Sequence, residues 1–366
     1  MLAIKKLFLF FTTLSLLSTL SCFSQNDIQK NSELITGVSN IDSSSTKKKL
    51  IPIAIPITEP AVGYGLIAGA LYFLPKADKT LQSDMIVGAA GLTTNGTWFA
   101  GGGYLGFWRK DNLRYTGFTG YGQITMDYYG FGEDNPVQFD QNVFMFLQQM
   151  NFRIGESDFF LGGKYQLSQI KIPQKKAEEL GVDPNDLDVI NSGISLIAEF
   201  DNLNNFLSPT KGTIIHLSYD QNLKILGSNR DWGTLNYYSH FYYPVNDYWT
   251  PALRLASQLS TGNAPFYAFP YVDLRGVAAL RYQGKLTVMA ETEQLIDFAK
   301  RWGAVGFTGI GAAFKSTENL VNEDLIWNVG VGARYLASES LGVKIGADIA
   351  RGPEDYAFYI SIGSAW

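Results

Sequence analysis

From residue 50 onward the chain places large apolar residues at every second position. In "TIIHLSYD", Thr213, Ile215, Leu217 and Tyr219 share one face, and Ile214, His216, Ser218 and Asp220 share the other. "TLNYYSHFYY" sets Leu235, Tyr237, Ser239, Phe241 and Tyr243 against Thr234, Asn236, Tyr238, His240 and Tyr242. "GKLTVMAETE" and "VKIGADIA" repeat the pattern, with Glu291, Glu293 and Asp348 on the polar sides. A period of two is the side-chain repeat of a β-strand. Sixteen segments follow it: 50–57, 61–74, 84–95, 97–108, 113–126, 138–154, 158–172, 189–200, 213–223, 232–244, 249–261, 284–296, 301–315, 325–337, 341–350 and 356–366. Pro52 and Pro56 confine the first to an edge or an irregular strand. The polar faces carry Gly, Tyr, Asn and lone charges instead of the dense Lys and Glu of a solvated sheet face. That pattern predicts a crowded, wet interior.

The N-terminus decides what the alternation means. "MLAIKKLFLFFTTLSLLSTLSCFSQ" has Lys5 and Lys6 ahead of an apolar run, then small residues at Cys22 and Ser24. It reads as a cleaved signal peptide over residues 1–24. A membrane anchor would need about 17–25 apolar residues, the short limit of which this run barely meets. A lipid-modified Cys22 is a third reading, with Thr19 where Leu is wanted. Residues 25–49 are polar, rich in Ser and Lys, and read as a flexible periplasmic linker. Residues 50–366 keep one pattern throughout and form one domain. No later apolar run reaches the ~18 residues of a spanning helix. An exported chain that crosses a membrane without helices must do so as a closed barrel. The expected fold is therefore all-β: a transmembrane antiparallel β-barrel of 16 strands in the bacterial outer membrane.

Composition agrees. Of 366 residues, 14% are aromatic and only 17% charged, with 37 glycines. Removing Lys5 and Lys6 takes the formal charge from −5 to −7, which disfavours nucleic acid as a partner. Cys22 is the only cysteine, so the mature chain has no disulfide. With both ends periplasmic, the long connections "YYGFGEDNPVQ", "IPQKKAEELGVDPND" and 261–284 face outward, and "RKDN", "GESD" and "ND" face the periplasm. Long outer loops and short inner turns are the habit of such barrels.

Most chemical motifs dissolve on inspection. "GGGYLG" at 101–106 has nucleotide-loop spacing but is followed by a strand end and a turn, not a helix. His216, Ser218 and Asp220 lie on one strand face, about 6.6–6.8 Å apart, too far for a relay without help from another strand such as that of His240. No metal-ligand spacing occurs, and no metal, cofactor or enzymatic activity is expected. "FPYVDLRGV" at 269–277 stands apart: an aromatic, Pro-bearing stretch leads into Arg275 and a Gly just before the twelfth segment.

Here the sequence resembles the BamA/TamA-type outer-membrane barrels, the bacterial surface antigen family. Their Arg-Gly motif at the tip of a lumen-directed loop corresponds to Leu274, Arg275 and Gly276, with Val277 where the family has an aromatic residue. Five segments follow the loop, as in the family's sixteen-strand layout. "FDNLNNFLSPTKG" at 200–212 is similar to a periplasmic turn of the family, and "RWGAVGFTGIG" and "ADIARGPEDYAFYISIGSAW" to its last strands. The resemblance implies that acidic lumen residues hold the arginine. A buried guanidinium needs carboxylates, and the candidates are Glu291, Glu293 and Asp348. It also implies that the final strand, with Phe358, Ile360, Ile362 and Trp366 on one face, is read by the barrel assembly machinery. Phe358 and Trp366 suit the aromatic girdles at the two interfaces.

Relatives with assembly roles carry periplasmic POTRA domains, for which the 25-residue linker leaves no room. The expected function is that of a barrel-only relative that assists insertion, translocation or support of other outer-membrane proteins. Its expected partners are lipids, the assembly machinery and those proteins. The alternative is a loop-gated transport pore. A hydrolase built on His216 or His240 is a minor third.

Overall fold

The computed structural model describes residues 49–57, 63–74, 76, 83–128, 137–173, 187–205, 208–316, 325–338, 342–354 and 356–366. The signal peptide, nearly all of the linker and the tips of the first two long outward connections lie outside these residues. Sixteen strands run in chain order: β1 Lys49–Ile57, β2 Gly65–Leu74, β3 Asp84–Thr93, β4 Trp98–Trp108, β5 Leu113–Tyr128, β6 Val137–Arg153, β7 Phe159–Lys171 and β8 Asp188–Asp201. They continue as β9 Gly212–Asn222, β10 Trp232–Tyr242, β11 Trp249–Gly262, β12 Leu286–Ala299, β13 Trp302–Phe314, β14 Ile326–Ser338, β15 Val343–Arg351 and β16 Tyr356–Ile362. Each pairs antiparallel with its neighbours in one sheet, and the sheet curls into a nearly closed barrel. Among the described residues no ladder joins β1 to β16, although the two edges approach each other.

The prolines of β1 now make sense. Pro52 and Pro56 pair with Ala70 and Leu66 of β2. They are four residues apart, so both missing N–H groups point the same way, and a strand with one open edge tolerates that. The outer wall is apolar, with Leu92, Leu196 and Val331 among its most exposed residues. Among the described residues no helix is long and apolar enough to cross a membrane; the strands make the crossing.

The interior is not uniformly wet, which corrects the reading from the polar faces. Inward residues of β2–β6 form one apolar cluster that includes Ile67, Met85, Val87, Phe99, Phe118 and Met145. The inward faces of β8–β15 carry most of the charges. The connection between β11 and β12, residues 263–285, fills the space between the two walls. Its 3-10 turn Phe266–Ala268, with Tyr267, Tyr271, Ala279 and Leu280, packs on the apolar wall. Leu274 and Val277 pack with Met289, Ala313 and Ile326 on the opposite side.

The last strand also differs from expectation. It ends at Ile362 rather than continuing to Trp366. Gly363 takes a left-handed φ of 94° and donates its N–H to the Lys344 carbonyl at 2.7 Å, turning residues 364–366 into the lumen. Trp366 is therefore not in an interfacial girdle. Phe358 is exposed on the outer face, and Ile360 shares that face.

Candidate functional site: an arginine held by five strands

Arg275 sits where the inserted loop meets the charged wall. Its Nε donates to Glu291 Oε1 at 3.0 Å, and its Nη1 donates to Glu293 Oε2 at 2.7 Å and to Asp348 Oδ2 at 3.2 Å. The three carboxylates named as candidates from the resemblance, Glu291, Glu293 and Asp348, are thus brought together. The guanidinium also lies 3.4 Å from the centroid of the Phe307 ring, a cation–π contact in a dry setting. Burial works against the charge on Arg275, but Glu291, Glu293 and Asp348 outweigh it and raise the pKa above the usual arginine value.

A second guanidinium completes the set. Arg334 of β14 donates through Nη1 to Asp348 Oδ1, and through Nη2 to Asp348 Oδ2 at 3.1 Å and Glu293 Oε2 at 3.4 Å. Arg275, Glu293, Arg334 and Asp348 form a ring of alternating sign. Glu291 stands beside it and accepts three hydrogen bonds: from Arg275, from Asn328 Nδ2 at 2.8 Å and from Trp366 Nε1 at 2.5 Å. Arg254 of β11 lies 3.9 Å from Glu291 and holds Asp273 of the loop at 3.1 Å. The backbone joins in: Asn328 Nδ2 donates to the Arg275 carbonyl, and the Gly276 N–H donates to Tyr359 Oη of β16 at 2.9 Å. Arg275 and Gly276 therefore touch β12, β13, β14, β15 and β16.

Gly276 is required at its position. Its φ is +87°, and a Cβ there would lie 2.9 Å from the Gly352 nitrogen and 3.0 Å from the Arg351 carbonyl carbon. The loop backbone thus rests directly on the β15–β16 turn. Arg281 and Tyr282 tie it there again through Glu354.

Two further groups of residues lie around the ring. Trp366 contacts His240 and Tyr242, at ring separations of 5.6 and 6.0 Å. His216 stacks on Tyr238 at 4.7 Å and bonds Glu199 at 2.9 Å, so both histidines belong to an aromatic column along the lumen. Ser218 accepts from Asn236 at 3.4 Å. At the short-turn end, Arg114 binds Asp111 at 3.0 Å and Asp201 at 3.2 Å. The 202–211 turn is built by Asn202, Asn204 and Asn205, and its Ser208 Oγ accepts from the Lys344 N–H at 3.0 Å. A cavity of about 30 Å³ remains between this turn, Glu293, Arg334 and Ser364, room for about two waters.

Sequence reading missed Arg334, Asn328 and Phe307. Arg334 was in reach: it shares the inward parity of Asn328 in "NVGVGARY", and a charge inside a membrane protein needs a partner. Among the described residues no group of three or more His, Cys, Asp and Glu side chains has metal-site geometry.

A sixteen-stranded barrel with an inserted, charge-anchored loop is an outer-membrane type. Comparison with known proteins shows what it is similar to. Residues 110–273 match the Omp85 superfamily domain, a stretch that ends just before Leu274 and Arg275. The chain is similar in fold to BamA from Haemophilus ducreyi lacking POTRA domains 1-3 (TM-score 0.58, 14% identity, 86% of this chain and 70% of that one). It is similar also to CdiB from Acinetobacter baumannii (0.57, 11%, 86% and 59%) and CdiB from Escherichia coli (0.60, 9%, 86% and 62%). The chain thus spans less than two thirds of either CdiB chain. No curated protein matches it in sequence. Domain match and fold agree on a barrel of the Omp85 type, with the matched domain over residues 110–273.

Proposed function

We propose that the protein assists the insertion, translocation or support of other outer-membrane proteins, acting at the seam between β1 and β16. One observation carries this reading: the two edge strands share no ladder among the described residues. Unpaired backbone groups at membrane depth each cost several kcal/mol. An incoming strand that pairs with such an edge gains those hydrogen bonds. Export by the 1–24 signal peptide, a 25–49 linker and recognition of the C-terminal residues Phe358, Ile360, Ile362 and Trp366 by the assembly machinery belong to the same reading. The test is the quantitative outer-membrane proteome with and without the protein. A fall in a defined set of barrels supports the reading and names the clients; an unchanged proteome removes it.

A second reading, a loop-gated pore, draws on the charge cluster around Arg275 that holds the plug. Under it, the intact barrel is silent in single-channel recording and Arg275→Ala conducts. A barrel that stays silent in both forms discards this reading.

A further inference from the structure

The turn between β4 and β5 carries a conformation that needs a reason. Arg109, Lys110 and Asp111 have φ values of 52°, 59° and 65°, three successive non-glycine residues in the left-handed region. Such strain persists only where its surroundings impose it. Here Asp111 does so: its carboxylate binds Arg114 and Arg153, and both guanidiniums stack on Phe160 at 3.6 and 4.4 Å. Asp111 is thereby neutralised. Arg109 and Lys110 are exposed and have no ion-pair partner among the described residues. The fold therefore leaves two adjacent cations exposed at the short-turn end.

Beside them, on the membrane-facing side of β4 and β5, lies a platform of three rings. Trp108 stacks on Tyr115 at 5.2 Å and 8°, and Tyr104 packs against both at 5.9 and 6.3 Å. Gly106 and Gly117 make room for it: a Cβ at either would lie within 2.6 Å of an aromatic side chain. The platform is polar at its rim. Trp108 Nε1 donates to Tyr104 Oη at 3.2 Å, and Tyr104 Oη donates to Asp84 at 2.8 Å. Aromatic rings with polar tips favour the headgroup level of a bilayer, and Lys and Arg just beyond them meet the phosphates.

We propose that Arg109, Lys110 and the Tyr104–Trp108–Tyr115 platform form a binding site for an anionic phospholipid of the periplasmic leaflet. The cations take the charged headgroup, and the rings cover the glycerol and upper acyl region. A lipid fits better than an acidic protein because the platform lies on the outer wall of the strands, where hydrocarbon and headgroups are the surroundings.

The full-length barrel is purified, reconstituted in vesicles of phosphatidylethanolamine with and without phosphatidylglycerol, and extracted for native mass spectrometry. Retained phosphatidylglycerol is read against retained phosphatidylethanolamine. The variant Arg109→Asn/Lys110→Asn removes both charges while keeping residues that accept a left-handed φ, so the turn survives. Each cation removed lowers retention about 5-fold. Lys300→Gln/Arg301→Gln, on the β12–β13 turn, removes the same charge from another short turn and leaves retention unchanged. Trp108→Leu lowers retention with both cations intact. Equal loss from the two charge variants overturns the proposal, as does the absence of any preference for phosphatidylglycerol. Cross-linking of an acidic protein to the tip, dependent on Arg109 and Lys110 and indifferent to lipid, overturns it in favour of a protein partner.

Discussion

The two walls of the lumen hold the same loop by different physics. The β2–β6 wall buries the aromatic side of residues 263–285 in a cluster with Phe99, Phe118 and Met145. Attraction there is non-directional and scales with buried area. The β12–β15 wall holds one guanidinium through three carboxylates, and its attraction depends on geometry. An apolar contact loosens gradually as parts move. A buried ion network, once one partner leaves, exposes uncompensated charge and fails at once. The difference suggests a division of labour: the apolar wall supplies adhesion, and the charged wall defines one seated position.

The comparison is broken most severely by moving charge to the wrong wall. Met145→Glu places a carboxylate among Phe118, Val143 and Leu147 without a cation. A cost well above about 5 kcal/mol is expected unless the group takes up a proton. The barrel then yields little folded protein, read as loss of the heat-modifiable band on gels. Near-normal folded yield would mean that the apolar wall is wet. Arg275→Ala comes next, at about 3–5 kcal/mol, because Glu291, Glu293 and Asp348 lose a shared cation. Its denaturation midpoint falls and the loop loses its seat. Arg275→Lys recovers part of the loss, since an ammonium keeps the charge but not the fork or the stacking on Phe307. Complete rescue by Lys would remove geometry from the account.

Leu280→Ala probes adhesion on the other side. Leu280 is fully buried, and truncating such a residue costs about 2–5 kcal/mol. Its φ of 59° is left-handed and Ala does not relieve it, so stability falls as in an ordinary core truncation. Under the proposed division of labour the loop stays seated. A variant that conducts ions like Arg275→Ala would show that the two walls act as one.

The same contrast explains what could be read in the sequence. Sixteen strands were legible because alternation is a backbone property, and the lipid-facing half of most strands is largely apolar. Glu291, Glu293 and Asp348 were candidates because the resemblance implies a lumen arginine held by acidic residues, and a buried guanidinium needs carboxylates. The apolar wall was not legible. In β2, "GLIAGALYFL" is apolar on both faces, so alternation does not say what faces the lumen. The segments from which a wet interior was read, β9, β10, β12 and β15, all lie outside the apolar wall. Trp366 was misplaced for a related reason: "YISIGSAW" keeps the strand period to its end, and only the left-handed turn at Gly363 breaks it. A glycine allows such a turn but does not announce it.

The smallest effect expected is the most discriminating. Trp366 joins the segment after β16 to the charged wall through one hydrogen bond, from Nε1 to Glu291, and through ring contacts with His240 and Tyr242. Trp366→Phe keeps an aromatic ring and removes the donor. Glu291 still accepts from Arg275 and Asn328, so it is not left bare, and the loss stays near the low end of the ~1.5–3 kcal/mol for a hydrogen bond to a charged group. Glu291→Gln weakens the bonds from Arg275 and Trp366 together. If the indole is coupled to the loop through Glu291, the double variant loses less than the sum of the singles, because the same carboxylate serves both. If the losses add, Trp366 is held by its aromatic neighbours alone, and the turn after β16 is independent of the loop. Denaturation midpoints of the four proteins decide between the two.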